Sequence, residues 1–106
     1  MDFTIKNVQD SISTVARRLG YVIIDIKPNG EYNLVRKFSS NNFPRFHAYV
    51  KPFGGLRAGQ NGTVFIFSLH LDQKAPVYGG NSHAHNGEYF GPVIDEEADR
   101  IRQLLK

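Results

Sequence analysis

The stretch Thr63-Val64-Phe65-Ile66-Phe67-Ser68-Leu69-His70-Leu71-Asp72 decides how this chain reads. Its β-branched and aromatic residues favour a strand, and successive strand side chains point to opposite faces. Phe65, Phe67, Leu69 and Leu71 therefore share one face. Val64, Ile66, Ser68, His70 and Asp72 share the other, which begins apolar and ends polar. His70 and Asp72, two residues apart, project to the same side and can share one ion or one small ligand.

Moving towards the N-terminus, residues 46–51 alternate in the same way, with Phe46, Ala48 and Val50 against His47, Tyr49 and Lys51. Residues 21–27 and 31–38 flank Pro28-Asn29-Gly30, whose turn chemistry predicts a hairpin. Further upstream, Ile5, Val8, Ile12, Val15, Ala16 and Leu19 fall at helical spacing, so a helix is expected over residues 5–19, with Thr4 as N-cap and Gly20 as its stop. Downstream, Ile94, Ala98, Ile101 and Leu105 predict a second helix. Asp95, Glu96 and Glu97 lie at its start and Arg100, Arg102 and Lys106 towards its end, as the helix dipole favours. The expected fold is α+β: helix, four-stranded antiparallel meander, helix, with both helices on one face of the sheet.

A chain of 106 residues suits a single domain over 1–106 and can bury a core without disulfides or a structural metal. Cysteine is absent, which excludes thiolate nucleophiles, iron–sulfur clusters and Cys-type zinc sites. Thirteen Lys and Arg against ten Asp and Glu leave a net charge of +3, enough to permit an anionic partner without demanding one. No apolar run approaches the roughly 20 residues of a membrane helix. Met1-Asp2 opens no secretory pattern, so a cytoplasmic protein with no membrane partner is expected.

The four histidines all lie between residues 47 and 85. If residues 52–62 close symmetrically about Arg57, His47 faces Phe67 or Ser68, one diagonal step of about 7 Å from His70. His83 and His85 flank Ala84 in residues 73–92, a long segment without periodicity that also holds Lys74, Glu88 and Tyr89. Such segments are often functional. Imidazoles with a carboxylate are the ligand types taken by zinc, iron(II), nickel or manganese. The first expectation is therefore a divalent-metal site, zinc being one occupant, or a small-anion site. Its ligands would be His70, Asp72, His83 and His85, with His47 and Glu88 behind them or acting as acid/base groups, and with Lys74 and Tyr89 among the ligand-binding residues. Each histidine taken alone reads better as an ordinary surface or hydrogen-bonding residue.

Two further readings compete. Residues 32–71 carry Arg36, Lys37, Arg45, Lys51 and Arg57 with no acid among them, interleaved with aromatics, as an RNA or single-stranded DNA module would require. An interaction module, self-associating into a homo-oligomer, is the third. Other chemistries lack their residues. There is no H-E-x-x-H, the glycines at 54–59 lead into Gln60-Asn61 instead of the Lys-Ser/Thr of a phosphate loop, and no serine stands in an elbow motif.

The strings Phe46-His47-Ala48-Tyr49-Val50, Leu69-His70-Leu71-Asp72-Gln73-Lys74 and His83-Ala84-His85-Asn86-Gly87-Glu88-Tyr89 resemble a family of small uncharacterised prokaryotic proteins with no known activity. The resemblance covers roughly residues 46–102. It implies that these three segments belong to one surface, and it assigns no catalytic role.

Overall fold

A computed structural model describes residues 1–54, 62–73, 87–88 and 91–106, the pair 87–88 by backbone alone. The order is β1 (Asp2–Val8), α1 (Ile12–Leu19), β2 (Val22–Ile26), β3 (Tyr32–Lys37), β4 (Arg45–Phe53), β5 (Thr63–Asp72), β6 (Gly87–Glu88) and α2 (Pro92–Leu104).

The expected first helix is half strand. Phe3 and Ile5 alternate inward as strand residues do, and the register to β5 then shifts between Ile5 and Val8, where Asn7 takes φ 61°. That bulge adds a residue and returns Val8 to the buried face. A strand with one bulge thereby imitates the three-residue step of a helix. α1 starts at Ser11, not Thr4, its Oγ accepting the Thr14 N–H at 3.3 Å. Gly20, at φ 82°, closes the helix as expected and sends its N–H back to Ala16 and Arg17.

β2 to β5 form the expected antiparallel meander, but the full sheet order is β1-β5-β4-β3-β2. β1 lies at the far edge from β2 and runs in the same direction, so α1 carries the chain across one face of the sheet. β6 pairs with Leu71 and Asp72 of β5, prolonging the line of β1.

Both helices cover the face formed by Phe3, Ile5, Leu34, Phe46, Ala48, Val50, Phe65, Phe67 and Leu69, closing one core with Val15, Ala16, Leu19, Ile94, Ala98 and Ile101. Phe3 stacks on Phe67 with ring centroids 5.0 Å apart. Glu97 is not a solvated dipole partner. It lies on the inward stripe of α2 at 3% exposure and accepts from Tyr21 Oη at 2.5 Å and from both Arg36 and Arg100 as two-point forks. Arg100 also donates to the Leu19 carbonyl at 2.7 Å, and Arg18 to that of Leu104, so charge-assisted hydrogen bonds join β3, α1 and α2.

Among the described residues no helix packs on the opposite face of the sheet, and no helix is long and apolar enough to cross a membrane.

Candidate metal centre

The helix-free face is set by register. Val35 of β3, His47 of β4 and His70 of β5 stand directly opposite one another in a row across three strands, and Arg45 and Asp72 form the next row. The β4–β5 pairing extends to Phe53 against Val64, two to three residues away from the alignment expected from symmetry about Arg57. His47 thus faces His70 itself, not Phe67 or Ser68. The ring centroids are 4.7 Å apart, with Tyr49 flanking at 4.6 Å from His47 and 5.5 Å from His70.

Asp72 ties the two rings together. Its Oδ2 lies 3.0 Å from His47 Nδ1 and its Oδ1 lies 3.1 Å from His70 Nε2, while Arg45 Nε approaches Oδ2 at 3.4 Å. Burial alone would raise the Asp72 carboxyl. Hydrogen bonds from His47 and His70 outweigh it and hold that carboxyl well below the usual carboxylate range. With the carboxylate ionised, the ring nitrogens facing it carry protons, and in a neutral His47 ring Nε2 is then the lone-pair nitrogen. That atom is buried and has no hydrogen-bond partner among the described residues. His47 is 8% exposed, so the orphan is not a solvated edge. Asn33 Oδ1, diagonal to His47 on the same face, is likewise buried without a partner.

One donor atom from each of His47, His70 and Asp72 can be chosen so that all lie within 4.8 Å of one another. Around a tetrahedral ion with bonds of about 2.0–2.2 Å, ligand atoms stand roughly 3.4 Å apart, so closure needs an inward shift of the order of 1 Å.

Of the ligands expected from sequence, His70 and Asp72 stand together here and His47 stands beside them in the same group, where it was expected behind the ligands. Lys74, His83, His85 and Tyr89 lie outside the described residues. Glu88 pairs through its backbone with Leu71, and its side chain is not described. The basic set divides. Arg36 turns to the helix side and Glu97, whereas Lys37, Arg45 and Lys51 lie on the histidine face, and Arg57 is outside the described residues. Sequence reasoning missed Arg45 and Tyr49 as neighbours of the site. Their positions two before and two after His47 placed them on its face, and that period of two was the available signal.

No known family, curated protein or solved structure matches this chain.

Proposed function

We propose that this domain binds a divalent transition-metal ion between His47, His70 and the Asp72 carboxylate. Two imidazoles and one carboxylate are the donor set that zinc, iron(II), nickel and manganese accept, and three protein donors leave further positions for water or a ligand. The observation that carries the reading is the convergence of the three donors on one sheet face. His47 Nδ1, His70 Nε2 and the Asp72 carboxylate would hold the ion, each ring proton moving to that ring's other nitrogen, and the ion's charge would compete with Arg45 for Asp72.

The test is calorimetric titration of chelator-treated, untagged protein with zinc, manganese and nickel. One equivalent should bind, with affinity falling in acid. Asp72→Asn keeps the shape and removes the charge, and should weaken binding by at least about 100-fold. Unchanged binding in Asp72→Asn and His47→Gln, both shown folded by circular dichroism, would refute the assignment.

A further inference from the structure

Beside the histidine row lies a cleft of about 520 Å³, lined by Val22, Ile24, Val35, Lys37, Phe43 and Arg45 together with Gly20, Arg36 and Asn42. Its volume falls within the range of small-molecule sites, about 300–1,000 Å³. Val35 forms its buried floor, and it is the register partner of His47. Val22 and Ile24, 63% and 49% exposed, supply apolar wall from the edge strand β2. Phe43, from the connection between β3 and β4, lies with its ring 4.5 Å from the Arg45 guanidinium.

The polar side of the cleft is cationic. Lys37 and Arg45 occupy directly opposed positions of β3 and β4, a like-charge pair that sheets disfavour. Among the described residues no carboxylate lines the cleft, and Lys37 makes no ion pair. Arg36 brings no free charge, because both of its bonding groups are turned to Glu97 on the other face. An apolar trough ending in two cations is complementary to one kind of small molecule.

We infer that this cleft binds a small amphipathic anion, with a carboxylate or phosphate head between Lys37 and Arg45 and an aliphatic body along Val22, Ile24, Val35 and Phe43. The site is distinct from the metal centre and shares Arg45 with it. Filling the metal centre neutralises Asp72, which frees Arg45 and strengthens anion binding, and by linkage the anion strengthens metal binding equally. That coupling rests on the proposed metal site, whereas occupancy of the cleft does not.

The experiment titrates the metal-free protein with octanoate, hexyl phosphate, acetate, inorganic phosphate and 1-octanol, following backbone amide shifts by NMR. Octanoate or hexyl phosphate should shift Val22, Ile24, Val35 and Lys37, and the tighter of the two identifies the head group as carboxylate or phosphate ester. Each methylene half-buried along the trough should add about twofold in affinity, so octanoate should bind roughly fourfold tighter than hexanoate. Arg45→Gln should weaken octanoate by about tenfold. The inference is overturned if octanol binds as well as octanoate, if neither amphiphile binds, or if the shifts fall elsewhere. Absence of zinc binding alongside octanoate binding would remove the metal site and leave the cleft standing. Zinc binding without either amphiphile would do the reverse.

Discussion

Replacing Glu97 with glutamine should destabilise the domain by about 3 kcal/mol, within the range for breaking one partner of a buried ion pair. The carboxylate accepts five hydrogen bonds, at 2.5 Å from Tyr21, 3.1 and 2.8 Å from Arg36, and 2.7 and 2.9 Å from Arg100. Glutamine keeps the shape and one acceptor, but it turns an amide donor towards a guanidinium and leaves two cations without their shared counter-charge. Charge-assisted bonds contribute roughly 1.5–3 kcal/mol each, which would exceed the figure given. The side chains of Arg36 and Arg100 are 31% and 35% exposed, so both recover part of their hydration and the loss is discounted accordingly. With an unfolding entropy of about 2.1 cal/mol/K per residue, 3 kcal/mol over this chain lowers Tm by about 13 °C. Urea unfolding followed by circular dichroism measures the loss, and Tyr21→Phe in the same series should cost about 1 kcal/mol. A loss below about 1 kcal/mol for Glu97→Gln would refute the view that this cluster clamps α2 to the sheet.

Acid should act through the same carboxyl and through Asp72. Burial raises both, but their hydrogen bonds hold both below their ordinary values, so the stability they confer is complete above the unfolded carboxylate range and drains away as pH falls below about 4. Stability measured from pH 6 to 2.5 should fall in wild type and fall less steeply in Glu97→Gln and in Asp72→Asn; identical slopes would contradict the assignment. Gly62→Ala should cost about 3 kcal/mol, because Gly62 sits at φ 93° and an added Cβ would lie 2.6 Å from the Val8 carbonyl at the β1 bulge. A substitution that leaves the thermal midpoint unchanged would show that β1 gives way there.

The four-stranded meander was legible because its strands alternate and the turn at Pro28-Asn29-Gly30 closes as its residues require, with Lys27 N–H on the Glu31 carbonyl and Gly30 at φ 88°. β1 was not, since Asn7 in the left-handed region shifts the strand by one residue and gives Ile5 and Val8 a helical interval. Glu97 misled for a related reason. Its place among acids at a helix start suggested solvent, whereas its alignment with Ile94, Ala98 and Ile101 placed it inward. The sharing of one face by His70 and Asp72 followed from strand periodicity alone. The opposition of His47 to His70 depended on where the β4–β5 connection closes, and glycine-rich residues 54–62 do not encode that register.

The most direct test of the metal centre is long-range ¹H–¹⁵N NMR of the imidazole rings during zinc addition to the metal-free protein. His47 Nδ1 and His70 Nε2 should move together to metal-bound shifts at one equivalent, with the proton of each ring transferred to its other nitrogen. Both rings keeping their tautomers and shifts in the presence of excess zinc would show that Asp72 serves only to hold two histidines in place.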